Sequence, residues 1–131
     1  MDRFDALFAE NPEARVLVDR FVIPLTARAE FEAAMNRNTT FLSGLPGFLG
    51  HLVLERERDA THRELITVVA WKDAAAIEHA RQEVPAYYQR IGFDMPAAIQ
   101  RWGVTMERGV FGRGQPGPAW LDSTHGDGIP R

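Results

Sequence analysis

Hydrophobic and polar positions along this chain follow two periods, one typical of strands and one typical of helices. Residues 15–23 (RVLVDRFVI) are rich in β-branched side chains and apolar at odd and even positions alike, which predicts a strand covered on both faces. Residues 48–56 and 63–71 predict two more strands, joined by a polar loop around Asp59. Residues 102–111 predict a fourth strand.

Two helices are predicted between these strands. Ala27 to Leu42 carries apolar residues at steps of three and four, namely Phe31, Ala34, Met35, Phe41 and Leu42. We expect Thr26 to cap this helix and residues 43–47 (SGLPG) to end it. Asp73 is the expected cap of the second helix, and Pro85 is expected to kink or restart it. The apolar stripe of the second helix is Ile77, Ala80, Val84, Tyr87, Tyr88 and Ile91. A short helical piece is expected at residues 95–100.

The resulting β-α-β-β-α-β order predicts an α+β fold of ferredoxin-like type, with a four-stranded antiparallel sheet and both helices on one face. Because the first and third strands are apolar on both sides, the other face must also be covered, and a second copy of the chain is the simplest cover. We divide the chain into an N-terminal arm (1–13), in which Phe4, Leu7 and Phe8 share a helical face, a domain (14–111) and a Gly/Pro-rich tail (112–131). Trp120 and Leu121 are the apolar anchor of that tail.

Composition narrows the class of protein. The chain has 131 residues, of which 45% are hydrophobic, enough for one domain with a modest core. Its net charge of -3 argues against nucleic acid and anionic membranes as partners. The absence of cysteine removes disulfides, thiol nucleophiles and thiolate metal sites. No run of about 18 apolar residues occurs, so we expect a soluble cytoplasmic protein.

Cofactor sites are not predicted either. The four histidines are scattered and do not pair with carboxylates at ligand spacing, so we expect no metal site. No glycine-rich loop follows a strand and opens a helix, which argues against nucleotide or flavin binding.

Asn38 lies in the centre of the apolar stripe of the first helix. A buried amide must find hydrogen-bond partners or destabilise the fold. One interpretation is a bond to a neighbouring backbone group, and the other is a donor aimed at a substrate carbonyl.

Three strand residues also allow both a structural and a functional interpretation. Trp71 shares a face with Thr67, and is either core or a pocket wall whose indole N–H binds a phenolate or peroxide. Asp19 would be a base if it faced a cavity, and Arg20 must then point to the other face. His51 is either an edge or interface residue or a base, since histidine exchanges protons near neutrality.

Small motifs connect these elements to a known family. The order of elements, the turn Pro46-Gly47-Phe48 and the exit Trp71-Lys72-Asp73 resemble the antibiotic biosynthesis monooxygenases, a family of dimeric α+β barrels. The resemblance spans Val16 to Phe111. It implies a small pocket under the helices and one of several activities, among them cofactor-independent oxidation of anthrones and quinols and degradation of haem.

The haem-degrading branch is disfavoured. Its pattern implies an asparagine in the first strand and a tryptophan and histidine on the second helix, and these positions are Asp19, Ala80 and Arg90 here. His79 is near, but it lies about 200° from Ile77 on the helical wheel and points away from the stripe.

This chain resembles the polyketide-oxidising branch more closely in its scaffold than in its catalytic residues. Trp71 matches, Thr67 replaces an asparagine, Ile77 replaces a tyrosine, and Arg90 approximates an arginine. The resemblance implies a cofactor-independent monooxygenase that acts with O₂ on an aromatic, quinol-like or polyketide-like substrate.

We expect Trp71 and Asn38 to act as hydrogen-bond donors and either His51 or Asp19 to act as the base. We expect Arg90 to stabilise negative charge. The cavity lining is expected to include Phe31, Phe48, Thr67 and Tyr87. The alternatives are a non-catalytic dimeric barrel that binds a hydrophobic ligand or partner, and an isomerase or lyase.

Overall fold

The structure, a computed structural model, describes residues 2–114 and contains one antiparallel sheet with helices packed on one face. The strands are β1 (Arg15–Pro24), β2 (Phe48–Glu57), β3 (His62–Trp71) and β4 (Thr105–Phe111). The helices are α1 (Arg3–Glu10), α2 (Arg28–Ser43), α3 (Ala74–Ile91) and α4 (Met95–Trp102). The strand order β2-β3-β1-β4 and the β-α-β-β-α-β sequence confirm the predicted ferredoxin-like fold.

The structure corrects three local predictions. Thr26 does not cap α2, because a 3₁₀ turn at Leu25–Ala27 precedes the helix and no side chain bonds to its first turn. The strand β4 begins three residues later than predicted, because α4 continues to Trp102 and ends at Gly103 in a left-handed conformation. The helix α3 continues through Pro85 as one helix, so the restart expected there does not occur. The expected anchor residues Trp120 and Leu121 lie outside the described residues.

The turn before β2 ties that strand to the start of α3. Gly47 has φ +84, and a Cβ there would lie 2.5 Å from Cβ of Ala76, so only glycine fits. Its carbonyl accepts a 2.8 Å hydrogen bond from the N–H of Lys72, and Asp73 accepts another from Ala76 N–H at 2.8 Å. These bonds hold the end of β3, and therefore Trp71, in place.

The space between sheet and helices is filled solidly at one end. Phe31 is fully buried, and its ring lies 4.9 Å from that of Phe21 and 5.9 Å from that of Trp102 in edge-on contact. A second, smaller cluster contains Val69, Trp71, Ile77 and Ala80. The part of the sheet between these clusters is the region where side chains leave a cavity.

The opposite face of the sheet carries apolar side chains that nothing in residues 2–114 covers. Leu52, Leu54 and Phe111 are 46%, 50% and 55% exposed, although each lies on a strand. One end of this outer face is charged, and there the buried carboxylate of Glu64 accepts hydrogen bonds from Arg20 and Arg56. Among residues 2–114, no helix combines the length and the apolar character that a membrane crossing requires.

Candidate functional site

A cavity of about 380 Å³ lies between the sheet and helices α2 and α3. Its volume falls within the range of small-ligand pockets. Its strand residues are Leu17, Asp19, Phe21, His51, Val53, Thr67, Val69, Trp71, Met106 and Arg108. Its helix residues are Met35, Asn38, Thr39, Leu42, Ile77, Ala80, Arg81, Val84, Pro85, Tyr88 and Met95. The lining is therefore apolar, with a few polar groups that converge on it.

Strand alternation decides which strand residues reach this cavity. Asp19 pairs with Thr67 on β3 and with Arg108 on β4, so the three side chains form one row on the helix-covered face. Arg20 points to the outer face, where it bonds to Glu64. Five residues expected at the site line this one cavity, namely Asn38, Trp71, His51, Asp19 and Thr67.

Phe31 and Phe48, which were expected to line the cavity, lie elsewhere. Phe31 belongs to the solid core beyond it. Phe48 stands behind Trp71, with ring centroids 5.7 Å apart and planes at 88°. Phe48 thus supports the indole without reaching the cavity lining.

Tyr87 and Arg90 also lie outside the lining. The ring of Tyr87 stacks on Phe41 at 4.1 Å, and the exposed Arg90 guanidinium lies 5.8 Å from the Tyr87 ring. Each step along a helix turns about 100°, so Tyr88 faces the cavity while Tyr87 and Arg90 do not.

Asn38 is bonded across the cavity rather than to its own helix. The hydroxyl of Tyr88 on α3 donates to Oδ1 of Asn38 on α2 at 3.0 Å. Because the oxygen is occupied, the amide is oriented with its Nδ2 as the free donor, and Nδ2 has no partner among residues 2–114. Burial raises the pKa of Tyr88 above its ordinary 10.0, against the opposing charges of Arg108 and Arg37. The phenol therefore remains a neutral donor.

Asp19 forms a two-point ion pair with Arg108. Nε of Arg108 lies 2.7 Å from Oδ1 of Asp19, and Nη2 lies 3.0 Å from Oδ2. The hydrogen bond to Asp19 raises the pKa of Arg108 above its ordinary value. Both carboxylate oxygens are engaged, so Asp19 is less suited to act as a base than its position in the sequence indicated.

The indole of Trp71 is 2% exposed, yet its N–H donates to no group in residues 2–114. Unlike Nε of Arg63, this nitrogen is not sealed away from solvent, and Trp71 lines the cavity. Trp71 is therefore a lining residue whose indole N–H has no partner among the described residues. Trp102 differs, because its Nε1 donates to Glu30 at 3.1 Å.

His51 lies on β2, at the edge of the sheet, where it is exposed and also lines the cavity. Its ring lies 6.4 Å from that of Phe48, and its nitrogens have no partner among the described residues. His51 is thus in contact with both the cavity and solvent.

Tyr88, Arg108 and Arg81 are cavity residues that the sequence interpretation did not single out. Tyr88 could have been distinguished from Tyr87 by phase, since it lies about three helical turns after Ile77. Arg108 carried no such signal, because its position opposite Asp19 depends on the pairing of β1 with β4.

Residues 2–114 contain no group of three or more His, Cys, Asp or Glu side chains arranged to hold a metal ion. His79 is exposed on α3 and is not a lining residue.

Solved structures provide the comparison with known proteins, since no family model and no curated protein sequence matches this chain. SnoaB, a cofactor-independent oxygenase from Streptomyces nogalater, matches in two crystal structures. One is 29% identical with a TM-score of 0.60, and the other, a mutant, is 25% identical with a TM-score of 0.62. Both matches cover 81% of this chain and 98% of SnoaB.

A protein from Deinococcus radiodurans, proposed to be an antibiotic biosynthesis monooxygenase, shares the fold at 17% identity. The TM-score is 0.56, over 79% of this chain and 96% of that one. The likeness to SnoaB supports the general prediction of a monooxygenase. The resemblance predicted from the sequence is therefore confirmed: this chain has the ferredoxin-like fold of the antibiotic biosynthesis monooxygenase-type proteins.

Proposed function

We propose that this protein is a homodimeric monooxygenase that oxidises an electron-rich aromatic, quinol-like or polyketide-like substrate with O₂ and without a bound cofactor. The observation that carries the proposal is one apolar cavity onto which Trp71, Asn38 and His51 all open. The likeness to an oxygenase described as cofactor-independent supports the same conclusion.

The reaction we propose for a model anthrone needs no electrons from the protein. A base removes a proton from the ring CH₂ group, and the resulting carbanion transfers an electron to O₂. The carbon radical and superoxide then combine to form a C–O bond. The resulting peroxide takes back the proton from the base and loses water, which leaves a carbonyl. Overall, CH₂ and O₂ become C=O and H₂O, and all four electrons come from the substrate carbon.

The lining residues suit the three needs of this reaction. His51 accepts the proton, since it is unbonded and in contact with solvent. The indole N–H of Trp71 and the amide of Asn38 donate to the oxyanion that forms as the substrate ionises. The apolar walls exclude water, which strengthens these hydrogen bonds.

The proposed dimer follows from the outer face of the sheet. Leu52, Leu54 and Phe111 form a contiguous apolar surface with the half-buried Val18 and Val68 of the central strands. Contiguous apolar surfaces of this kind mark association sites. A second copy packed sheet to sheet would cover it and leave each cavity under its own helices.

Turnover of a model anthrone with and without O₂ tests the proposal. We expect quinone and water to form only with O₂, at an unchanged rate when a metal chelator is added. His51→Gln should lower the rate by about 100-fold, the scale of general base catalysis. His79→Gln is the matched control and should have no effect, because His79 lies on α3 outside the cavity lining.

The alternatives give different results in the same assay. Turnover at the same rate without O₂ would indicate an isomerase or lyase and contradict the oxygenase. Binding of the anthrone without any turnover would indicate a ligand-binding protein and overturn the proposed activity.

A further inference from the structure

The ion pair between Asp19 and Arg108 leaves one side of the guanidinium free, and both residues line the cavity. A guanidinium carries five N–H donors, and Asp19 uses the one on Nε and one on Nη2. Three donors remain, on Nη1 and Nη2, and none has a partner among residues 2–114. These three donors lie along the end of the guanidinium, which is an edge that binds a carboxylate in two-point fashion.

The ion pair joins a buried carboxylate to a half-exposed guanidinium. Asp19 is 8% exposed, among apolar neighbours such as Phe21 and Leu17, whereas 54% of the Arg108 side chain is exposed. An ion pair with one partner in contact with solvent contributes little to stability. The pair does, however, fix a guanidinium in one orientation at the cavity, so that little freedom is lost when a ligand binds.

The charges at the cavity favour an anion despite Asp19. The lining contains two arginines, Arg81 and Arg108, against the single carboxylate of Asp19, and Arg81 is paired at 3.3 Å with Glu78, which lies outside the lining. Arg37 lies close enough for its charge to act on Tyr88 as well. Because Asp19 and Glu78 are each paired with an arginine, an added carboxylate meets no unpaired carboxylate in the lining, and Arg37 contributes further positive charge nearby.

We propose that Arg108 is a specificity-determining residue that binds a carboxylate on the substrate, so that the substrate is a polycyclic aromatic acid. Asp19 is its positioning residue. The aromatic part of this inference rests on the proposed function, whereas the acid part rests on the geometry of the ion pair.

Binding without O₂ tests the acid part separately from turnover. The probes are anthraquinone-2-carboxylate, its neutral carboxamide and 2-hydroxyanthraquinone, with affinity measured by quenching of tryptophan fluorescence and by calorimetry. We expect the carboxylate to bind about tenfold or more tighter than the amide, the scale of a hydrogen bond to a charged group. Preference for the ionised hydroxy compound instead would overturn the carboxylate assignment.

Arg108→Gln should remove the preference for the acid, because it should weaken binding of the acid far more than binding of the amide. Arg108→Lys should retain part of the preference through charge alone. Because Arg108→Gln leaves Asp19 without its partner and could unfold the protein, the double variant D19N/R108Q provides a neutral pair with the same expected result. Arg81→Gln is the matched control at the other lining arginine and should keep most of the preference.

Asp19→Asn tests positioning. If Asp19 only repelled anions, its removal would tighten binding of the acid; if it holds Arg108 in place, the acid binds more weakly. Equal binding of acid and amide to the unaltered protein, or a preference that survives Arg108→Gln, would overturn the inference. If the protein prefers the acid but does not turn over the anthrone, the inference about Arg108 holds and only the proposed oxygenase activity is contradicted.

Discussion

The hydroxyl of Tyr88 donates a 3.0 Å hydrogen bond to Oδ1 of Asn38. This bond joins α3 to α2 at the cavity and determines which end of the amide remains free. Without it, the amide of Asn38 could turn by 180° and present an oxygen, an acceptor, to the substrate. The bond therefore converts a half-buried asparagine into an oriented donor.

Replacement of Tyr88 by phenylalanine should reduce anthrone turnover by about tenfold, because the amide of Asn38 loses its orientation. The loss of one hydrogen bond should also lower the free energy of unfolding by about 1 kcal/mol. Steady-state kinetics and urea unfolding measure the two effects. Tyr87→Phe is the control, since the Tyr87 hydroxyl bonds to no group in residues 2–114 and its ring would still stack on Phe41. Equal effects of the two variants would contradict the orienting role of Tyr88.

Trp71→Phe removes a donor while it keeps most of the apolar bulk. We expect kcat to fall about 100-fold, the scale of losing one oxyanion donor, with a small change in melting temperature. Trp102→Phe should lower the melting temperature and leave kcat unchanged, because that indole packs in the solid core, bonds to the exposed Glu30 and does not line the cavity. Thermal unfolding curves, measured alongside the kinetics, distinguish a loss of stability from the loss of a hydrogen-bond donor. Retention of full activity in Trp71→Phe would remove the indole from the mechanism.

Stability should fall in acid partly through Glu64. The hydrogen bond from Arg20 is the main cause that lowers the pKa of Glu64 below its ordinary 4.5, and Arg56 acts in the same direction. The ionised form is thus favoured by folding, so its stabilisation is present above pH 4.5 and is lost as the pH falls through the folded pKa.

We expect Glu64→Gln to lower the melting temperature at pH 7. The difference in melting temperature between this variant and the unaltered protein should become smaller toward pH 3. Melting curves across this range measure the effect. Glu107→Gln is the matched control, because its carboxylate also bonds to Arg20 but is 76% exposed. A constant difference at all pH values would assign the effect to packing instead of charge.

Leu54→Glu places a charge on the outer face of the sheet, and we expect it to convert the dimer into a monomer. Light scattering after gel filtration measures the mass. Leu25→Glu is the control, because Leu25 is similarly exposed, 45% against 50%, but lies in the 3₁₀ turn before α2. A monomeric unaltered protein would contradict the proposed dimer directly.

The sequence by itself determined the order and type of the main elements. β-Branched runs, three- and four-residue apolar steps, the Asp73 cap and the turn at Gly47 are local signals, and they hold because backbone preferences and one-sided burial act within a few residues. They also marked Asn38, Trp71, His51, Asp19 and Thr67, whose polarity or placement stands out in apolar strands and helices.

The tertiary structure alone decided which of these residues face the same space and with what partner. The ion pair of Asp19 with Arg108 depends on the pairing of the first strand with the last, a contact between residues 89 positions apart. Tyr88 lines the cavity, whereas the predicted residues Tyr87 and Arg90 do not, because the three side chains point in different directions around the helix axis. The apolar positions of this helix are spread too widely to distinguish these directions from the sequence. Such choices arise from packing across the sheet, which local sequence patterns do not encode.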